Sequence, residues 1–476
     1  MKTYVISSLI VLLIGVTARA QTEPNRADIA RNTRAVPHST ATGPEDLSFT
    51  QDPSGPIRVS DNRRYFVQSD GAPFFWLGDT GWLLFRKLDR EAAARYLDDR
   101  AANGFNVIQA MLLHELSLTN AYGDSALVAG NVARPVATPG NDPTDEHAYD
   151  YWDHVDYIID MAAERGINVA LVPVWGSNVR GGGVTEEQAR QYATWLGKRY
   201  RDRPNVIWLN GGDTRGDQQT DIWTTIGQTL RQEAPGQLIT FHPYGRTNST
   251  TWFHDADWLD FNMFQSGHRR YDQEVGDSIY GPDNYKYVHD SYTRQPTKPT
   301  LDGEPSYESI PQGLHDPAEP YWTADDVRRY AYWSVFAGAA GFTYGHNAVM
   351  QMHTPGDTDA NYGVRESWVE ALAAPGARQM QHLIELMLSF PYFERIPDQQ
   401  LIAPEQGDQY AYQVATRGED YALVYTYDGR DATVTMGRIA GRRVTASWFN
   451  PRTGQRSFIG RYRNRGTRTF DPPGQA

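Results

Sequence analysis

Apolar and polar positions along the chain follow two periods. From about Phe74 to Phe390, short and nearly continuous apolar runs alternate with longer amphipathic stretches. Such runs fit parallel strands buried on both faces, and the longer stretches fit covering helices. "FFWLGDT" predicts the first strand, and "DREAAARYLDDRAANG" a helix closed by Gly104. "FNVIQAMLL", "INVALVPVW" and "NVIWLNGGD" predict strands two to four. Between them, "YDYWDHVDYIIDMAAERG" predicts a helix closed by Gly166, and "TEEQARQYATWLGKRYRD" a helix N-capped by Thr185. "LITFHPYG", "DFNMFQSGH", "PTLDGEPSYE" and "GFTYGHNAV" predict strands five to eight. The remaining helices are "DIWTTIGQTLRQEAPG", a short candidate around "HDADWLD", "TADDVRRYAYWSVFAGAAG" and a single last helix over "VEALAAPGARQMQHLIELML".

Eight β–α units favour a closed barrel over an open doubly wound sheet. No G-x-G-x-x-G opens the first helix and no phosphate-binding loop occurs, so the open nucleotide-binding sheet lacks its fingerprint. After Pro391 the period shortens to two. "QYAYQVATRGEDYALVYTYDG", "DATVTMG" and "RRVTASWFNPRTGQRSFIG" alternate between Gly- and Asp-rich turns. The predicted fold class is α/β: a (β/α)8 TIM barrel over residues 56–392, then an antiparallel β-sandwich over 395–476. Residues 21–55 are polar, without periodicity, and read as a leader.

The first twenty residues read as an export signal. Lys2 supplies the charge, "YVISSLIVLLIGV" the apolar core, and Ala18–Ala20 a small-residue cleavage site. A retained N-terminal anchor is the alternative, although the apolar run is short for a membrane span. The expected location is periplasmic or extracellular, after cleavage near Ala20. The chain has no Cys, so it carries neither disulfides nor a thiol nucleophile. Stability must then rest on a large core, which 476 residues permit. A formal net charge of −13 argues against nucleic acid or an anionic membrane as partner. It leaves open an acidic polysaccharide met at a locally basic cleft. Thirteen Trp and 28 Tyr favour a sugar, because aromatic faces stack on it.

In a barrel of this kind the reactive groups lie at the C-terminal strand ends. Those ends present Asp79 with Trp82 beyond it, Gln109 with His114, and Trp175. Strand four presents Asn210 and Asp213 with Arg215, and strand five His242 and Tyr244. Strands six to eight present Gln265 and His268, then Asp302 and Glu304, then Tyr344 and His346. Asp213 and Glu304 lie far apart in sequence, but the barrel brings strands four and seven towards each other across its mouth. Two facing carboxyls are what glycoside hydrolysis requires: one protonates the leaving oxygen, the other attacks the anomeric carbon or activates water. A separation of about 5–5.5 Å implies retention and about 6.5–9.5 Å inversion. Asp302, two residues before Glu304, points to the same side deeper in the barrel and reads as a support. Arg215 could hold a carboxylate in its charged form or bind an acidic sugar. The other rim residues read as sugar contacts.

No H-x-H, H-E-x-x-H or complete calcium loop occurs, so neither a metal nor another cofactor is expected. No G-x-S-x-G elbow supports serine chemistry.

With these residues placed, "PFFWLGDTGWLLF", "NGFNVIQAMLL", "VIWLNGGD" and "LDGEPSYE" resemble the apiosidase-like glycoside hydrolases of family 140, whose domain is also called DUF4038. The resemblance covers roughly residues 56–390. The tail, with "WFNPRTG", resembles the β-sandwich called a collagen-binding domain that follows this barrel. Activity in the family removes apiose, a branched pentofuranose, from side chains of the pectin rhamnogalacturonan II. The resemblance implies Asp213 as general acid/base and Glu304 as nucleophile. The broader clan of retaining barrel glycosidases carries an Asn-Glu pair at the end of strand four. Here Asn210 is followed by two glycines and then Asp213, so the acid is one methylene shorter and displaced along the loop. The expectation is an exported, exo-acting, retaining glycosidase acting on a polysaccharide or oligosaccharide. Its sugar is an apiose-like pentofuranose, with arabinofuranose as the sister reading. A non-catalytic carbohydrate- or matrix-binding protein is the alternative of a different class.

Overall fold

The computed structural model describes residues 10–16, 55–145, 147–274, 276, 278–404 and 406–473. Eight parallel strands form one sheet: Trp76–Thr80, Val107–Met111, Asn168–Val172, Val206–Thr214, Ile239–Pro243, Asn262–Phe264, Thr300–Asp302 and Gly341–Tyr344. The eighth strand pairs with the first, and the ladders run on in sequence order as far as the fifth. Between the fifth and sixth strands, the amide of Asp260 donates to the carbonyl of Ile239 at 2.9 Å and the Thr240 hydroxyl to that of Phe261 at 2.6 Å. These bonds all but close the barrel. Its base is plugged by three two-residue strands, whose Phe66 packs on Trp76 and edge-on against Phe261.

The helices follow from local signals. Thr185 caps Glu186–Tyr200 through a reciprocal bond with Gln188, and Asp150 does the same for Tyr151–Ala163 with Asp153. Two helix readings are corrected. "VEALAAPGARQMQHLIELML" is two helices, Trp368–Ala371 and Pro375–Leu388, because Pro375 lacks the N–H an interior position needs and so starts a new helix. Around "HDADWLD" the helix is Thr250–Phe253, one turn earlier than expected. The polar stretch after strand six carries a helix of its own, Asn284–Thr293.

The C-terminal unit is antiparallel, with Val414–Arg417, Tyr421–Thr426, Arg443–Phe449 and Arg456–Arg463 in one sheet and Ala432–Met436 with Gly466–Phe470 in the other. Aromatic contacts fix it to the barrel: Tyr425 stacks on Tyr332 at 4.8 Å and Tyr412 on Tyr285 at 3.8 Å. The buried guanidinium of Arg329 lies over Tyr330, Trp333, Tyr410 and Tyr427.

The apolar run of the first twenty residues contains one described strand. Ile10–Val16 is a strand in the middle of the larger C-terminal sheet, antiparallel to both Tyr421–Thr426 and Arg443–Phe449. Val11 and Leu13 join the cluster shared with the barrel, and Leu12 and Ile14 join the sandwich core. An apolar run can fill such a place because both of its faces are buried. The leader read over 21–55 lies outside the described residues, apart from its last position.

Candidate active site

At the C-terminal mouth of the barrel is a cleft of about 350 Å³. Asp213 and Glu304 both line it, with Trp82, His114, Trp175, Tyr244, Gln265 and His268 from the sequence-derived set.

Asp213 reaches the cleft through a distortion of strand four. Gly211 stands opposite His242 and Thr214 opposite Pro243, so Gly212 and Asp213 are extra residues in the ladder. Three successive residues take left-handed backbone, with φ of 95° at Gly211, 101° at Gly212 and 46° at Asp213. A Cβ on Gly211 would lie 2.7 Å from the His242 carbonyl oxygen, and one on Gly212 2.6 Å from the Trp175 ring. Only glycine fits at both places. Gly212→Ala is therefore expected to cost about 1–3 kcal/mol and to lower turnover, because Asp213 loses its seat. Gly236→Ala, where a Cβ meets nothing within 4 Å, serves as the control. Urea denaturation and initial rates measure both. Wild-type stability and turnover in Gly212→Ala would refute the account.

Glu304 follows the short seventh strand and is buried. Its carbonyl accepts from the amides of Ser266 and Gly267, both at 3.1 Å. Two imidazoles face its carboxylate. His268 Nε2 lies 3.1 Å from Oε1 and His242 Nε2 3.3 Å from Oε2. Each ring accepts a backbone amide at Nδ1, His242 from Asp213 and His268 from Tyr307, both at 3.4 Å. Acceptance at Nδ1 places each ring proton on Nε2, facing Glu304.

The two carboxyls are driven apart. For Asp213, removal from water and the charge of Glu304 outweigh His242 and Arg180, and its pKa rises to about 6. For Glu304, burial opposes the charge, but His242 and His268 overcome it and hold the carboxyl at about 2. The mouth thus holds one protonated acid and one carboxylate over the interval between. The pair titrates as a unit. An activity that needs both forms is expected to fall as pH rises through about 6, where Asp213 loses its proton. It should also fall as pH drops towards about 2, where Glu304 gains one. A pH profile of kcat/KM checks both limbs. Activity undiminished well above pH 6 would contradict the assignment of Asp213.

Several predicted contacts lie outside the wall of the cleft. Asp79 is wholly buried, accepts from the Tyr96 hydroxyl at 2.8 Å and lies 3.2 Å from Arg100. It braces the first strand against the helix Arg90–Ala102. Gln109 lies beneath the mouth and donates to the Gly303 carbonyl at 2.9 Å. Asn210 precedes the bulge and bonds the Trp223 carbonyl at 2.7 Å. Tyr344 donates to buried Glu308 at 2.7 Å. His346 caps the helix Asn347–Met350 and lies 3.3 Å from Glu366. Arg215 turns to Asp217 at 3.2 Å and over the Trp252 ring. None of these six lines the cleft. His242 is also absent from the wall and touches Glu304 from behind, with Trp82 against its ring at 5.3 Å. Asp302, below Glu304, accepts from Ser266 at 2.7 Å and Asn284 at 3.0 Å, and burial pushes its pKa up to about 7.

Two wall residues had no signal in the sequence. Tyr307 accepts from the Trp82 indole at 3.2 Å, and its phenol is raised by burial and by adjacent Glu304. Tyr362 lines the same cleft as both carboxyls, and burial together with the charges of Glu304 and Asp213 raises its phenol. Among the described residues, no group of three or more His, Asp or Glu is placed to hold a metal ion.

Residues 60–394 match the family described as "Apiosidase-like, catalytic domain", and 396–476 the "Putative collagen-binding domain of a collagenase". None of the curated proteins matches the chain. Among solved structures, a "Glycoside hydrolase" is 45% identical with a TM-score of 0.82, the match covering 88% of this chain and 94% of that one. A glycoside hydrolase family 5 protein from Bacteroides vulgatus ATCC 8482 is 44% identical with a TM-score of 0.83, over 88% of this chain and 90% of that one.

Proposed function

The chain belongs to the apiosidase-like glycoside hydrolases, and on that premise we propose that it is an exo-acting enzyme that removes a terminal apiose-like pentofuranose from polysaccharide side chains such as those of pectin. The observation that carries the reading is that Asp213 and Glu304 line one small cleft, with two imidazoles facing the Glu304 carboxylate.

The proposed mechanism retains configuration. Asp213 gives its proton to the glycosidic oxygen as Glu304 attacks the anomeric carbon. The C–O bond to the leaving sugar breaks and an ester to Glu304 forms. Asp213, now a carboxylate, takes a proton from water. That water attacks the same carbon and expels Glu304. His242 and His268 orient the nucleophile through their Nε2–H groups, and Tyr307 and Tyr362 border the space where the sugar ring sits.

Digesting a panel of pectic, arabinan and bacterial polysaccharides tests the substrate. Free apiose is the expected product. Arabinose alone would move the reading to the sister furanoside, and no monosaccharide from any substrate would end it. Proton NMR of the first product anomer tests retention.

The proposal includes export, supported by the composition of Met1–Ala20. Cleavage after Ala20 would take away the strand Ile10–Val16. Mass spectrometry of the periplasmic or secreted protein is expected to find a chain starting at Gln21. A chain starting at Met1 would overturn this.

A further inference from the structure

The charge of the chain is unevenly distributed. Residues 430–476 hold ten arginines, no lysine and two carboxylates, a net of +8 in a chain whose formal net charge is −13. Much of this charge is gathered on one edge of the sandwich. Among the described residues Arg456–Arg463 is the outer strand of the larger sheet and pairs only with Arg443–Phe449. Opposite pairs in the ladder share a face. Arg463 stands opposite Arg443, Arg461 opposite Thr445 and, beyond an irregularity between Ala446 and Ser447, Phe458 opposite Ser447. The alternate residues Val444, Ala446 and Trp448 belong to the sandwich core. Arg443, Arg461, Arg463 and Phe458 therefore stand on the other face, and all four are exposed, Phe458 at 68%. Among the described residues no carboxylate forms an ion pair with Arg443, Arg461 or Arg463.

We propose that this face is a docking surface for a carboxylated polysaccharide, a linear chain of uronic acids. Three observations select that partner. The cations are all arginine, whose planar fork matches a carboxylate with two parallel bonds. Arg461 and Arg463 alternate along the outer strand, at a rise of about 3.3 Å per residue, and Arg443 stands beside Arg463 on the next strand, so the three form one cationic patch suited to a polyanion. The aromatic ring among them, Phe458, offers an apolar face to a sugar ring. The surface belongs to the sandwich and not to the catalytic cleft, whose wall includes none of these residues. It would hold the enzyme on an acidic polymer while the cleft works on side chains. This role does not depend on which sugar the cleft removes.

The test uses the full chain in native gels cast with polygalacturonate, neutral arabinan, heparin or no polymer, and in titrations with single-stranded DNA and phosphatidylglycerol vesicles. Polygalacturonate is expected to retard the wild-type protein, and arabinan is not. Arg443→Ser/Arg461→Ser/Arg463→Ser should bind polygalacturonate at least about tenfold more weakly, and Phe458→Ala should weaken binding further than charge loss explains. Melting and turnover of a soluble aryl glycoside should stay at wild-type values in both variants, because the residues are exposed and remote from the cleft. Glu304→Gln should be retarded like wild type, which separates failure of the surface from failure of the catalytic reading. Absence of retardation, or unchanged retardation of the triple variant, would overturn the proposal. So would equal or tighter binding to heparin, DNA or vesicles, which would mark an unselective polyanion surface. Dimerisation of the triple variant without any loss of polymer binding would assign the arginines to keeping a sheet edge unpaired.

Discussion

Glu304→Gln is expected to lower kcat by at least about 10³-fold while leaving substrate binding largely intact. The amide keeps the size of the carboxylate but cannot form the ester to the anomeric carbon. It also disturbs the two imidazoles. His242 and His268 both present Nε2–H to Glu304, and an amide can offer an acceptor to only one of them. The variant should therefore give no burst of leaving group on rapid mixing, whereas wild type should trap a covalent adduct with a 2-fluoro furanoside. Mass spectrometry of the trapped protein locates the label. A label on any other residue, or turnover by Glu304→Gln within tenfold of wild type, would remove Glu304 as nucleophile.

Asp213→Asn should fail differently. Loss of a general acid costs about 10²–10⁴-fold where the leaving sugar needs a proton. With a dinitrophenyl leaving group no proton is needed, so the ester should form at close to the wild-type rate and then persist. Azide, which needs no general base, should release it as a glycosyl azide. The limb near pH 6 should vanish, because the group whose pKa burial and Glu304 raise to that value is gone. If the limb survives in Asp213→Asn, another acid serves the reaction.

The sequence made the carboxyl pair legible because barrel geometry converts a place in the chain into a place in space. Any residue just after a strand lies near the mouth. That rule does not separate the mouth from the layer beneath it. Asp79, Gln109, Asn210 and Tyr344 all lie within strands, and they meet the barrel interior or its helices. The bulge at Gly212 and Asp213 raises the acid by two residues and leaves Asn210 below. A pair of glycines signals such a distortion but does not state its direction. Tyr307 and Tyr362 lie in irregular segments, where no period links position to orientation. The first residues were ambiguous for a different reason. A short apolar run satisfies an export signal and a doubly buried strand equally well, and periodicity does not separate them.

That strand has a consequence for the order in which the protein can be completed. Ile10–Val16 leaves the ribosome first, and its two neighbours, Tyr421–Thr426 and Arg443–Phe449, are among the last strands made. The barrel can assemble while synthesis continues, but the sheet cannot close until nearly the whole chain is out. Until then the apolar segment must be held by something else, so its seven residues are exposed to competing partners for most of synthesis.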